Sequence, residues 1–244
     1  MKQQLRRALS AAARSPLLNR ASRPALRLAS YVLGAQDRPV IPYDGVERVE
    51  GMRLIRRVLA ERQMILMIPE AYMIYASVLR TNKVPGDVAE VGVFQGGSSK
   101  LICEAKGERP LHLFDTFEGL PQRDEIDPVR YSLGKYACSI ESVRKYLGGY
   151  SGVQFYRGFF PETAGPVADR VFSFVHLDVD LYQSTRDSLR FFYPRMSVGG
   201  VILSHDYIWA AGVRKAFDEF FCDKPEPVIE LCGSQCMVMK AGNA

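Results

Sequence analysis

The segment Glu90-Val91-Gly92-Val93-Phe94-Gln95-Gly96-Gly97-Ser98-Ser99 has the composition of a ligand-binding turn: an apolar run, then glycines, then small polar residues fit to open a helix. A strand, a glycine-rich turn and a helix start make up the cofactor loop of Rossmann-like folds. Spacing narrows the ligand. A dinucleotide loop uses G-x-G so that the backbone can approach a pyrophosphate, whereas here the residue two after Gly92 is Phe94 and the glycines run G-x-x-x-G-G. The chain carries no Walker lysine pattern. A phosphate-free ligand with an amino-acid carboxylate to rest near a helix N-terminus suits this turn better. Glu90 is then the candidate for the ligand's ammonium group, directly or through the loop, and Gly92, Phe94, Gly96, Gly97 and Ser98 are candidate contacts.

Two further segments extend that site. Leu111-His112-Leu113-Phe114 delivers Asp115 and Thr116 about twenty residues later, where an acidic residue can accept both hydroxyls of a ribose. Taken alone, Asp115 could equally cap the next turn. Arg157-Gly158-Phe159-Phe160 leaves a third strand, so Gly158 and Phe159 offer a backbone amide and an aromatic wall to a nucleobase.

A second kind of chemistry is written in the acids. Phe172-Ser173-Phe174-Val175-His176-Leu177-Asp178-Val179-Asp180 reads as a strand whose alternation sets His176, Asp178 and Asp180 on one side. The next strand ends in Ser204-His205-Asp206-Tyr207. Asp178 and Asp206 offer hard oxygens suited to Mg²⁺, and His205 softens the set so that it could admit Mn²⁺ or act as a base. Asp178, His205 and Asp206 are therefore the candidate metal ligands, with Asp178 and His205 the candidate catalytic pair. Asp180 could instead cap the following helix. Ser184 and Asp187 read as a capping pair that opens this helix, and His112 and His176, flanked by apolar residues, read as buried and satisfied.

The elements that must hold these residues follow from pattern. Strands are expected at Val88–Val93, Leu111–Phe114, Val153–Tyr156, Phe172–Asp178 and Gly200–Ser204, and helices at Ser98–Ala105, Ile140–Leu147, Thr185–Phe192 and Gly212–Phe221. This βαβ rhythm predicts an α/β fold with a mostly parallel sheet and helices on both faces. Val228–Leu231 and Gln235–Met239, separated by Cys232-Gly233-Ser234, predict a C-terminal antiparallel hairpin. Upstream, Val49, Met52, Ile55 and Leu59 recur at helical spacing, and Pro69 opens a second apolar helix that runs through Leu79. Residues 1–40 form a basic arm, 41–84 a helical prelude packing on the core or on a partner subunit, and 85–244 the cofactor-binding domain. The stretch 121–139, acidic at Asp124, Glu125 and Asp127 and then aromatic at Tyr131 and Tyr136, is a candidate lid.

With 244 residues, 47% of them apolar and 24% charged, the chain is neither disordered nor fibrous, and no window approaches 18 uninterrupted apolar residues. The net charge of +5 is local: residues 1–40 carry eight basic side chains against Asp37 alone, leaving the rest weakly acidic. A nucleic-acid partner is not expected. The Arg-rich arm suits peripheral contact with anionic lipid or packing on another subunit. Five scattered cysteines without a CxxC pair indicate reduced thiols and a cytoplasmic protein.

AEVGVFQGGSS (89–99), LFDTFEGLP (113–121), HLDVDLYQST (176–185), FYPRMSVGGVILSHDY (192–207) and GVRKAFDEF (212–220) together resemble the macrocin O-methyltransferase (TylF/MycF-type) family. The resemblance spans roughly residues 69 to 240. It implies a class I methyltransferase fold, S-adenosylmethionine as cofactor, a divalent metal, and methylation of a hydroxyl on a sugar of a natural product or glycan. Glu90, Gly92, Gly96 and Asp115 match the family's cofactor motifs, and Asp178 matches its metal- and base-associated acid. His205 stands where the family commonly has the first of two adjacent aspartates. The arm and the 46–68 helix do not match the macrolide enzymes closely, so the acceptor does not carry over. The expectation is a homo-oligomeric, metal-assisted O-methyltransferase acting on a small-molecule or glycan acceptor. The competing readings are a metal-dependent glycosyltransferase that uses Asp178 and Asp180 as a DxD, and a non-catalytic homologue.

Overall fold

The structure, a computed structural model, describes residues 46–242. The basic arm, with its expected lipid contact, lies outside the described residues. From Glu50 onward these residues form one compact unit. Among them, no helix is long and apolar enough to cross a membrane.

Two helices come first, α1 (Val46–Glu61) and α2 (Ile68–Arg80). The α1 stripe that is buried is Met52, Leu54, Ile55 and Val58. A Cβ on Gly51 would sit 2.9 Å from the Tyr75 ring of α2, so the missing side chain sets how closely the two helices pack. Ile74 and Val78 of α2 enter the same buried cluster as Val88, Ile102 and Phe174. Next come β1 (Asp87–Val91), α3 (Gly97–Ala105), β2 (Leu111–Asp115), α4 (Ile140–Leu147), β3 (Val153–Arg157) and β4 (Phe172–Leu177). The chain then forms α5 (Tyr182–Phe192), β5 (Met196–Ser204), α6 (Ala211–Phe221), β6 (Ile229–Glu230) and β7 (Cys236–Met239).

The seven strands are ordered β3-β2-β1-β4-β5-β7-β6. The first five are parallel, while β7 runs antiparallel to both β5 and β6. The expected fold class is thus what forms. Every residue of β1 and β4 is buried, as befits central strands covered on both faces. One face packs Phe114, Phe172, Phe192 and Phe217, and the other packs Leu111, Leu113, Phe174 and Leu203. Strand order reverses between β1 and β4, and such a switch point opens a crevice at the strands' C-terminal ends.

Two local expectations are corrected. Helix α5 begins at Tyr182, three residues early, so Ser184 and Asp187 lie inside it and do not form a capping box. The Ser184 carbonyl accepts from the Ser188 hydroxyl at 2.7 Å, and Asp187 accepts from the Gln183 amide at 2.6 Å. The open end of α5 is capped from afar, with the Tyr182 amide donating to Asp127 at 2.9 Å. Strand β4 ends at Leu177, and Asp180 has φ +60°. The chain is therefore not extended through to Asp180, and the simple alternation expected for His176, Asp178 and Asp180 fails. His176 points to Glu90, and the two aspartates lie beyond the ladder.

Candidate active site

A cavity of about 640 Å³ opens at the C-terminal ends of β1, β2, β4 and β5. Of the residues singled out in the sequence, Gly92, Phe94, Gly97, Ser98, Asp115, Thr116, Gly158, Phe159, Asp178, His205 and Asp206 line it. Glu90 and Gly96 do not.

The glycine turn owes its shape to close backbone approach. Gly92 has φ +88°, and a Cβ there would lie 1.9 Å from the Asp178 carbonyl oxygen. Gly96, at φ +79°, turns the chain into α3, so its part is conformational; it is not a wall of the cavity. Gly97 and Ser98 follow in the first turn of α3, where amide hydrogens have no partner within the helix. Glu90 sits beneath the turn, fully buried. It accepts from the Ser99 hydroxyl and pairs with His176 Nδ1 at 2.9 Å. Direct contact with a ligand ammonium is thereby corrected, because both partners lock the carboxylate inside the fold. His176 is itself only half satisfied, since its buried Nε2 has no hydrogen-bond partner. His112 is bonded at both nitrogens, to Tyr156 at 3.1 Å and Asp87 at 2.9 Å.

Asp115 braces the turn. Its Oδ2 accepts the Val93 and Phe94 amides at 2.7 and 2.9 Å, and its Oδ1 accepts the Phe117 amide at 2.6 Å. A carboxylate offers about four acceptor positions, so a lone pair stays available toward the cavity. Gly158 donates to the Asp115 carbonyl at 3.0 Å, which sets Phe159 and Phe160 along the wall.

The adjoining stretch of wall is acidic. His205 Nδ1 lies 3.2 Å from Asp178 Oδ1 and 3.3 Å from Asp206 Oδ2, while Nε2 lies 3.4 Å from Glu70 Oε2. Burial alone would lower the His205 pKa, but the three carboxylates hold it well above the usual imidazole range. Burial opposes the Asp206 charge most strongly, but the bond to His205 and its charge, together with hydrogen bonds from Asp180 and Tyr131, hold it below the carboxylate norm. Asp180 moves the other way. Buried, and close to Asp178 and Asp206, it is held well above the carboxylate range and shares a hydrogen bond with Asp206. Five non-glycine residues among those described have positive φ, and Phe94, Tyr136, Asp180 and Asp206, all on the cavity wall, are four of them. Backbone strain concentrated at one site is a recurring mark of function.

Asp178, His205 and Asp206 each offer a ligand atom, all within 4.8 Å of one another. The 3.2 and 3.3 Å separations match the roughly 3 Å between neighbouring ligands of an octahedral ion bound at ~2.1 Å, so the set fits a divalent cation. The rest of the wall suits an uncharged or cationic ligand, since among the described residues Arg130 is its one basic side chain besides His205.

Sequence reasoning missed part of this wall. Glu70 comes from α2, and Trp209 follows the His-Asp-Tyr motif; both line the cavity. A single tryptophan three residues past Asp206 was a usable signal. Glu70 gave none, being 135 residues away from His205. Tyr131 and Tyr136 of the candidate lid also line the cavity.

The chain is similar to several known proteins. The demethyldecarbamoylnovobiocin O-methyltransferase of Streptomyces niveus is 31% identical over 155 residues, which are 57% of this chain and 59% of that protein. A tetracenomycin-type 4'-O-methyltransferase of Streptomyces olivaceus that acts on 8-demethyl-8-(2,3-dimethoxy-alpha-L-rhamnosyl)-tetracenomycin C is 34% identical over 140 residues, 51% of this chain and 54% of that one. The chain thus spans little more than half the length of these curated relatives. The solved structure of the O-methyltransferase NovP aligns with a TM-score of 0.63 at 28% identity, covering 73% of this chain and 82% of that one. Residues 72–230 match the family described as Macrocin-O-methyltransferase (TylF), a stretch that contains the glycine turn, Asp115, Asp178, His205 and Asp206, and the chain belongs to that family.

Proposed function

We propose that this chain is an S-adenosylmethionine-dependent O-methyltransferase, assisted by a divalent metal, that methylates a hydroxyl of a sugar or another polyol-bearing natural product or glycan. The observation that carries the reading is convergence. A glycine turn unsuited to pyrophosphate and a cation-ready set of Asp178, His205 and Asp206 line one cavity. The relatives named above act on natural products, and two of the solved neighbours at the level of fold carry S-adenosylhomocysteine, the demethylated cofactor.

When bound, S-adenosylmethionine supplies a methyl carbon made electrophilic by its sulfonium. Asp178, His205 and Asp206 would hold a divalent ion, which would supply Lewis acidity toward an acceptor hydroxyl. The chain does the rest. Gly97 and Ser98 present the N-terminal amides of α3 to the cofactor carboxylate, and Asp115 keeps a lone pair for its ribose. Phe159 and Phe160 provide the apolar wall for its base. Asp178, with its side chain 26% exposed against 8% for Asp206 and 2% for Glu70, is the acid placed to receive the hydroxyl proton at a carboxylate oxygen. Tyr131, Tyr136 and Trp209 narrow the mouth and limit water. Holding donor and acceptor in line can contribute ~7–11 kcal/mol in favourable cases.

The glycosyltransferase reading is not favoured, because Asp180 of the DxD is buried and hydrogen-bonded to Asp206. Homo-oligomerisation, contact of the arm with anionic lipid and a cytoplasmic location remain proposals, for sedimentation, vesicle flotation and fractionation to test. The central experiment incubates the full chain with a labelled methyl donor and a panel of sugar-bearing acceptors, with and without EDTA. Label transfer that EDTA abolishes is the expected result. Uptake of the cofactor without transfer to any acceptor would favour the non-catalytic homologue, and binding of a nucleotide sugar in place of the methyl donor would overturn the proposal.

A further inference from the structure

Glu70 belongs to none of the motifs, yet it is 1% exposed and its carboxylate stands directly behind His205. Three donors fix it: Oε2 accepts the Met67 amide at 2.7 Å, and Oε1 accepts the Ser234 amide at 2.7 Å and the Ser234 hydroxyl at 2.9 Å. The turn between β6 and β7 is moulded on it, since a Cβ on Gly233 would lie 2.6 Å from Glu70 Oε1. The helix α2 and the C-terminal hairpin therefore clamp one carboxylate at a chosen place. The two ring nitrogens of His205 face opposite sides. Nε2 looks to Glu70, and Nδ1 looks to the gap between Asp178 and Asp206.

Metal-bound histidines almost always donate their other ring N–H to a carboxylate or carbonyl, which fixes the tautomer and strengthens the ligating nitrogen. Resting on the metal-assisted reading above, we infer that Glu70 is a positioning residue that holds the Nε2–H of His205, so that Nδ1 is a nitrogen ligand and the site selects Mn²⁺ or Co²⁺ over Mg²⁺. The ion takes the place of the proton on Nδ1, and one proton leaves to solvent as it binds. An imidazole suits transition metals, whereas Mg²⁺ prefers carboxylate, carbonyl and water oxygens. Asp178 and Asp206 supply the oxygens, and the imidazole supplies the preference.

The test uses the purified full chain stripped of metal, with Mn²⁺ and Mg²⁺ titrated separately by calorimetry and the Mn²⁺ form examined by electron spin echo modulation. Wild type is expected to bind Mn²⁺ at least about tenfold more tightly than Mg²⁺, with modulation from a directly bound nitrogen. Glu70→Gln is expected to weaken Mn²⁺ by roughly 10–100-fold, the range typical for loss of a histidine's outer partner, while circular dichroism shows a folded chain. Because Glu70 also holds Met67 and Ser234, His205→Asp serves as a second variant. It should lose the nitrogen signal and bring the Mn²⁺ to Mg²⁺ affinity ratio toward one. Mn²⁺ bound without nitrogen modulation, or equal affinities in wild type, would overturn the inference and leave metal assistance standing. Unchanged Mn²⁺ affinity in folded Glu70→Gln would overturn the part given to Glu70. Binding of neither ion would remove both this inference and the metal-assisted reading.

Discussion

Gly92 and Asp178 meet backbone to backbone: the position a Cβ of residue 92 would take is 1.9 Å from the Asp178 carbonyl oxygen, and the Asp178 amide donates to the Val91 carbonyl at 2.9 Å. The turn proposed to hold the cofactor and the aspartate proposed to receive the proton are thus one rigid junction at the switch point of the sheet. Gly92→Ala places a methyl group inside that oxygen and asks an L-residue to adopt φ +88°. The backbone cost alone is about 1–3 kcal/mol, and separation of β1 from β4 adds to it. Thermal unfolding should show a lower Tm, and calorimetry should show no uptake of S-adenosylhomocysteine. A variant that is as stable as wild type and binds normally would mean that the junction is looser than the geometry states.

Asp178→Asn tests the part of Asp178 in the chemistry, as proton acceptor and metal ligand, separately from cofactor binding. The amide keeps the size of the side chain but cannot accept the hydroxyl proton. Its loss as a general base is expected to lower kcat by about 10²–10⁴-fold, with cofactor affinity changed less than threefold. Turnover within tenfold of wild type would remove Asp178 from the chemistry.

Much of the fold was legible because its signals are local. Apolar runs and glycine punctuation mark β1 to β5 to within a few residues, and the pattern over Ile140–Leu147 coincides with the helix that forms. Asp178, His205 and Asp206 were legible as a set because each lies at or just past the end of a buried strand, and parallel strands bring such ends together. What failed depends on distant partners. Glu90 reads as an acid within direct reach of a ligand, but Ser99 and His176 occupy its carboxylate, which leaves only a part played through the loop. The start of α5 is set by Asp127, 55 residues upstream, which no pattern around Tyr182 discloses.

That distant cap gives a third prediction. Asp127 is 2% exposed; its Oδ1 takes the Tyr182 amide at 2.9 Å, its Oδ2 takes the Asp124 amide at 3.0 Å, and Gly212 of α6 leaves room for it. It therefore pins the segment that carries Tyr131 and Tyr136 to α5 and α6. Asp127→Ala should cost about 1 kcal/mol, as loss of a helix cap typically does, and raise the acceptor KM more than it lowers kcat. Limited proteolysis should find new cleavage between residues 121 and 139. An unchanged cleavage pattern and KM would show that the segment is held by other contacts.

The last prediction concerns acid stability, far from the cavity. Glu226 is 3% exposed; it accepts from the Tyr193 hydroxyl at 2.7 Å, Lys240 at 3.1 Å and the Ala241 amide at 3.0 Å, and so ties the end of β7 to the turn after α5. Burial opposes its charge, but these donors outweigh it and hold its pKa at about 2 against the usual 4.5. A carboxyl whose pKa is lower folded than unfolded stabilises the fold fully above the unfolded value. That contribution fades as pH falls from about 4.5 to about 2, because the unfolded chain takes up the proton first. Glu226→Gln removes the charge at every pH. It should lower Tm by a few degrees at pH 7 and shrink the difference from wild type as the pH approaches 2. Melting curves across pH 2–7 decide the matter: a deficit independent of pH would mean that Glu226 contributes shape and not charge.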